Sequence, residues 1–197
     1  MPRLLESIKL ENGVFHHLSY HEHRMHRAQR TLFGKVTIPH LADCLSAPTH
    51  ARRGLYKCRI IYQQAFERVE YIPYSPTPIR TLRRVSCSTL AYDHKYEDRS
   101  LLNELFAQRE DCDDVLIIRD GLVTDTSYAN IIFYDGQRWV TPDHPLLAGT
   151  QREYLLKQGY VTAIPLKESD IHSFQWFQLI NALLGVGQLP QPVCQIR

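Results

Sequence analysis

The chain is poor in lysine. Six occur in 197 residues, at Lys9, Lys35, Lys57, Lys95, Lys157 and Lys167, so chemistry that needs a primary amine has few candidates. Its five cysteines (Cys44, Cys58, Cys87, Cys112, Cys194) form no C-x-x-C pair. That spacing gives no zinc or dithiol redox motif, and the odd count suits reducing surroundings better than a disulfide framework, so buried thiols are expected. No apolar run reaches the length of a signal peptide or a membrane span, which predicts a cytoplasmic protein with no membrane partner. There is no polybasic arm either: 23 basic and 21 acidic residues are spread along the chain for a net charge of +2. Nucleic acid is therefore not an expected partner. No internal repeat or low-complexity tract is visible.

What is present is a globular composition, 44% hydrophobic over 197 residues, enough for one sizeable unit or two small lobes sharing a cleft. Asn12-Gly13, Asp120-Gly121 and Asp135-Gly136 each favour tight hairpin turns and lie between strand-like runs. The first predicts a hairpin of Leu4–Leu10 with Val14–Leu18. The others predict a meander through Asp114–Arg119, Leu122–Thr124, Asn130–Tyr134 and Arg138–Thr141. A further strand pair is expected at Gly54–Tyr62 and Phe66–Tyr74, and helices at Tyr20–Phe33, Leu101–Arg109 and Thr150–Gln158. Mixed strands and helices indicate the α+β class. The proline-rich residues 76–80 read as a linker between a smaller lobe, 1–75, and a larger one, 81–197.

Four short segments carry candidate chemistry. Lys95 lies between a strand-like stretch and a helix, where its amine could project into a cleft; partial desolvation and nearby cations would depress its pKa and make it nucleophilic. On spacing alone its charged neighbours, His94, Glu97, Asp98 and Arg99, favour a surface turn. Asp125, in Val-Thr-Asp-Thr-Ser-Tyr-Ala-Asn, stands at a strand end, either facing a cleft or closing an Asx-turn. Gly149 permits close backbone approach, and Thr150 opens a helix whose free N–H groups and dipole favour an anion. Arg27, on the helix whose buried side is marked by Met25, Ala28 and Phe33, could reach such an anion bidentately from the edge of that side, whereas Arg24 is expected to matter little. The cluster His16, His17, His21, His23 and His26 invites a metal reading, but no carboxylate or thiolate stands at a convincing ligand spacing, and no metal is expected.

Taken together, H-x-x-x-M-x-R at His21, Met25 and Arg27, the Lys95 segment, V-T-[acid]-x-x-x-x-N-[I/L]-x-F ending at Phe133, and L-x-G-x-x-R at Leu147, Gly149 and Arg152 resemble the class IV aminotransferase family. The resemblance covers nearly the whole chain in order. It implies the two-lobed architecture of fold type IV pyridoxal phosphate enzymes, the group of branched-chain and D-amino-acid aminotransferases and 4-amino-4-deoxychorismate lyase, here with a shortened N-terminal lobe. By that resemblance Lys95 is the Schiff-base lysine and Asp125 the acid at the pyridine nitrogen. Arg27 with Gly149, Thr150 and Gln151 forms the phosphate cradle, Ser127, Tyr128 and Asn181 stand near the cofactor, and Lys57 and Arg59 line the substrate side. A homodimer acting on a small amino or keto acid is implied.

The chain departs from the family pattern in three ways. Asp125 replaces the usual glutamate, which shortens the arm by roughly 1.5 Å, one carbon–carbon bond. Ala182 stands where aminotransferases have a phosphate-binding threonine, which favours the lyase branch or a weaker cradle. Relatives generally have extra β-structure ahead of the first residue, so part of the usual substrate wall is expected to be missing. Aminotransfer is the first expectation, as the wider class, with lyase-type elimination of pyruvate and a non-catalytic cofactor-binding protein as alternatives.

Overall fold

A computed structural model describes residues 1–88 and 92–197. The chain divides into two compact units, Met1–Pro76 with His94–Asp98, and Thr77–Asp93 with Arg99–Arg197. The division falls within the proline-rich stretch, but the segment that carries Lys95 belongs to the first unit rather than the larger second one.

In the first unit, Asn12 and Gly13 both adopt positive φ (50° and 84°). This is the twist that folds β1 (Leu4–Glu11) back on β2 (Val14–Phe15). The second strand is shorter than expected because His17 takes a left-handed conformation and the chain enters helix α1 (Leu18–Phe33), which ends at Gly34 with φ 73°. A short helix α2 (Leu41–Cys44) follows. Strand β3 (Leu55–Tyr62) pairs antiparallel with the whole of β1, from Leu4 opposite Tyr62 to Glu11 opposite Leu55, and β4 (Phe66–Pro73) pairs with β3. The order is β2-β1-β3-β4.

Alternate residues of the two central strands, Leu4, Ile8, Cys58, Ile60 and Tyr62, pack with Met25 and Ala28 of α1. Each large apolar side chain buried there contributes about 1.5–3 kcal/mol. Since β3 occupies one edge of β1, residues 94–98 take the other. The Leu5 N–H donates to the Lys95 carbonyl at 2.8 Å, the Glu97 N–H donates to the Arg3 carbonyl at 2.9 Å, and Leu4 bridges Tyr96.

The second unit begins with β5 (Leu82–Ser86), which crosses over through α3 (Ser100–Ala107) to lie parallel to β6 (Asp114–Arg119). The expected meander follows as β7 (Leu122–Thr126), β8 (Asn130–Tyr134) and β9 (Trp139–Pro142). Asp120-Gly121 turns with both φ angles positive, 53° and 77°. Asp135-Gly136 does not, for only Gly136 is positive. Asp135 Oδ1 instead accepts the Gln137 and Arg138 N–H groups at 2.8 and 2.9 Å.

Helix α4 (Thr150–Lys157) leads to β10 (Val161–Ile164), parallel to β9, and β11 (Trp176–Ile180) returns antiparallel to β8, with β12 (Gln191–Pro192) against it. The core of this unit includes Leu116, Ile118, Val123, Ile131, Phe133, Val140 and Phe177. No helix among the described residues is long and apolar enough to cross a membrane. The α+β class read from the sequence is the class observed.

Candidate active site

The residues singled out from the sequence fall into two groups, one in each unit. In the first, Lys95 is partly buried on the edge of β1, held through its backbone carbonyl. Glu6, on the face of β1 that meets α1, is fully buried and accepts hydrogen bonds from Arg24 Nε at 2.8 Å and Arg24 Nη2 at 2.6 Å. Its Oε2 also lies 2.7 Å from His21 Nδ1. Burial alone would raise the Glu6 carboxyl. The Arg24 charge and the His21 and Arg24 hydrogen bonds outweigh it and hold the group below the usual carboxylate range. His21 is pulled down, first by burial and further by the charges of Arg24 and Lys95, against the opposing pull of Glu6. A neutral His21 that donates through Nδ1 keeps Nε2 as an acceptor.

This arrangement corrects the reading of α1. Arg27 is exposed, whereas Arg24 is 7% exposed and engaged with Glu6. At about 100° per residue, positions 21, 24, 25 and 28 share one side of the helix, and position 27 is turned some 200° from Met25. The basis for a dispensable Arg24 disappears with it. The missed signal was a glutamate on β1 at an apolar-face position, in register with Leu4 and Ile8.

Lys57 and Arg59 do share a face of β3, but Arg59 is matched by acids: its Nη1 is 2.7 Å from Glu70 and its Nη2 3.5 Å from Glu97. Glu97 also pairs with Arg3 at 3.3 Å. Lys57 is partly buried, and its charge contributes to lowering the Glu70 carboxyl.

In the second unit, Asp125 stands one residue before the end of β7 and Asn130 begins β8, and these two residues face each other across the strands. Between them, Thr126 clasps the turn: its N–H and hydroxyl both donate to the Ala129 carbonyl, at 2.9 and 3.2 Å, and its oxygen lies 3.2 Å from the Ala129 N–H. Asp125 is 5% exposed. Its Oδ1 accepts from Asn130 Nδ2 at 2.7 Å and its Oδ2 from the Leu147 N–H at 2.9 Å. Burial pushes its carboxyl up to about 6, while those hydrogen bonds and the Arg152 charge limit the rise.

Gly149 precedes α4 in extended conformation, and Thr150, Gln151 and Arg152 in the first turn are all buried. A Cβ on Gly149 would fall 2.0 Å from Asn130 Oδ1, so glycine is required there by close approach. Arg152 Nη2 donates to the Pro142 carbonyl at 2.8 Å, and its buried Nε has no hydrogen-bond partner among the described residues. Ser127 is buried, and its carbonyl accepts from Arg99 Nη2 at 2.7 Å; Tyr128 packs against the core. Asn181 uses Oδ1 within its own turn, accepting from the Leu183 and Leu184 N–H groups at 2.8 and 3.0 Å. Of the cysteines, Cys58 and Cys112 are buried, but Cys44 and Cys194 are exposed, contrary to expectation. Burial pushes the Cys58 thiol up to about 12. Among the described residues, no group of three or more His, Cys, Asp or Glu side chains could hold a metal ion.

Each group offers parts that fit a phosphorylated pyridine aldehyde. The first supplies an amine and a buried guanidinium; the second supplies a buried acid and a helix start from which a Cβ is excluded. Comparison with known proteins points to the family that the sequence resembles. Residues 3–191 match the family model for amino-transferase class IV. An uncharacterized protein of Haemophilus influenzae is 40% identical over 185 residues, 93% of this chain and 98% of its own. The crystal structure of a "putative 4-amino-4-deoxychorismate lyase" from Haemophilus somnus superimposes with a TM-score of 0.88 at 36% identity, covering 94% of this chain and 98% of the other. A hypothetical aminotransferase from Mycobacterium tuberculosis in a PLP-bound form shares the fold, with a TM-score of 0.74 at 18% identity over 99% of this chain and 81% of its own.

Proposed function

The chain belongs to the class IV amino-transferase family, whose members are fold type IV enzymes dependent on pyridoxal phosphate, and from that premise we propose that it catalyses a lyase-type elimination of pyruvate from an amine such as 4-amino-4-deoxychorismate. When bound, pyridoxal phosphate supplies an aldehyde for amine capture and a protonated ring that withdraws electrons from the amine-bearing carbon. Lys95 would be the amine that holds the aldehyde carbon. The same Nζ, when free, would take the proton from the amine-bearing carbon of the substrate.

Asp125 keeps a proton on the pyridine nitrogen. The phosphate falls to the backbone N–H groups at Gly149, Thr150 and Gln151, and to a guanidinium, for which the buried Arg24 is proposed in place of the exposed Arg27. Ser127, Tyr128 and Asn181 stay assigned to the cofactor's surroundings, and Lys57 to the substrate carboxylate. Arg59, already matched by Glu70 and Glu97, acts there only if one of those acids yields it.

The observation that carries the enzyme reading is the buried Asp125, held by Asn130 Nδ2 and the Leu147 N–H, with its carboxyl pushed up to about 6 by burial against four opposing groups. Elimination is placed ahead of amino transfer, the first expectation from sequence, because the 36%-identical structure covering 98% of its own length bears the lyase name. Aminotransferase-named structures at 20% identity and below share the fold alone.

One experiment tests both points. Holoprotein mixed with aminodeoxychorismate is expected to release pyruvate, whereas a panel of L- and D-amino acids should leave the cofactor unconverted. Formation of pyridoxamine phosphate with an amino acid would instead establish transfer, and no reaction with any amine would leave only cofactor binding. Asp125→Asn should lower turnover by roughly two orders of magnitude or more, the scale of losing a positioned proton, while much of the cofactor stays bound. Undiminished turnover would remove Asp125 from the role. The proposed enzyme is a homodimer, expected to sediment as such at micromolar concentration; a monomer that retains cofactor would refute this.

A further inference from the structure

In the second unit, one side chain meets the candidate acid, the 147–149 loop and the glycine ahead of α4. Asn130 is 5% exposed at the start of β8. Its Nδ2 has two N–H bonds to give, and both are used: one to Asp125 Oδ1 at 2.7 Å, the other to the Leu147 carbonyl at 2.9 Å. Leu147 closes the ring by donating its own N–H to Asp125 Oδ2 at 2.9 Å. The remaining polar atom, Asn130 Oδ1, lies where a Gly149 Cβ would be, 2.0 Å from it. The carboxylate, the 147–149 loop and the start of α4 thus meet at one carboxamide.

We propose that Asn130 is a positioning residue that ties the acid Asp125 to the glycine-opened start of α4, so that the ring-nitrogen end and the phosphate end of the cofactor cradle keep a fixed spacing. This rests on the function proposed above for Asp125 and Gly149, but the coupling itself is a property of the protein without cofactor. The nearest alternatives each lose part of this arrangement. Aspartate would set one carboxylate against another, alanine would leave Asp125 short of a donor and the Leu147 carbonyl without its partner, and a longer amide would collide with Gly149. Gly149 is the complementary half of the device, since its missing Cβ is the space that Asn130 Oδ1 fills.

The test follows the Asp125 carboxyl carbon by NMR in the apoprotein, where its titration midpoint is expected near 6 and Arg152 is the charged group that acts on it. The Asn130 side-chain NH₂ resonance should move with that same midpoint, a measurement that needs no variant; an Asn130 resonance insensitive to Asp125 ionisation would overturn the proposal. Asn130→Ala should raise the Asp125 midpoint by roughly one unit or more, as loss of a hydrogen bond to the charged form requires.

Gly149→Ala should also shift the midpoint, but should add nothing to the shift of Asn130→Ala when the two are combined, because the added methyl then has nothing to push. Each single substitution should weaken pyridoxal phosphate binding tenfold or more, on the scale of misplacing a buried polar group. The double variant should be no worse than Asn130→Ala alone. Effects that add independently would show that the two residues act separately. Asn130→Ser, which removes the contact with less disturbance, should reproduce the shifts if the alanine variant does not fold. Failure of cofactor binding in the unaltered protein would count against the proposed function, and the apoprotein titrations would still decide the coupling.

Discussion

Replacing Lys95 with alanine is expected to abolish borohydride fixation of pyridoxal phosphate on the protein and to slow turnover by at least about 10²–10⁴-fold, the contribution of a positioned base. The protein should remain folded. Lys95 contributes to the edge of β1 through its main-chain carbonyl, which accepts from Leu5 at 2.8 Å, and alanine keeps that group. The result is sharp because the chain has so few amines. The others on the first sheet have different surroundings: Lys9 is paired with Glu11 at 2.8 Å, and Lys57 lies on the strand face that carries Arg59 and acts on Glu70. Peptide mapping of the reduced adduct reads the outcome directly. An adduct on Lys57, or full fixation in Lys95→Ala, would overturn the assignment of the amine.

The largest effect on stability is expected at Arg24. In Arg24→Ala, Glu6 keeps its place under α1 with full burial but loses both guanidinium hydrogen bonds, at 2.8 and 2.6 Å. Removing one partner of a buried ion pair costs about 3–5 kcal/mol, because the remaining charge is left without compensation. Arg27→Ala, three residues along on the exposed side, should change stability by no more than about 0.5 kcal/mol. Urea unfolding of the two apoproteins makes the comparison without reference to cofactor. Comparable stabilities would mean that Glu6 escapes its cost, for example by taking up a proton. A double variant, Glu6→Leu with Arg24→Met, should recover much of the loss, since an apolar pair of similar volume needs no compensation.

Much of the fold was legible because its signals are local. Two of the three Asn-Gly and Asp-Gly turns adopt paired positive φ, and the strands on either side of them lie within a few residues of the expected bounds. Helices α1, α3 and α4 were readable from apolar spacing and from the glycines beside two of them. The misses are long-range. Parallel pairing of β5 with β6 and of β9 with β10 depends on crossovers through helices, and neither β10 nor β11 carries a turn signal that marks its partner. The hydrogen bonds that bring residues 94–98 onto β1 join positions some ninety residues apart, and no periodicity in either segment announces them.

The sequence by itself determined which residue types are available and in what order: a scarce lysine, an acid in a Thr/Ser turn, a glycine before a helix, and arginines on an amphipathic helix. Those follow from side-chain chemistry and local backbone preference. Only the tertiary structure decided which of them are buried and what they face. It chose Arg24 over Arg27 because Glu6, fifteen or more residues away on β1, lies under one side of α1 and not the other. It occupied Arg59 with acids from β4 and from the 94–98 segment. It set Asn130 between Asp125, to which its Nδ2 donates, and Gly149, whose missing Cβ leaves room for its Oδ1. Burial and electrostatics depend on neighbours in space, and a chain read in one dimension does not contain them.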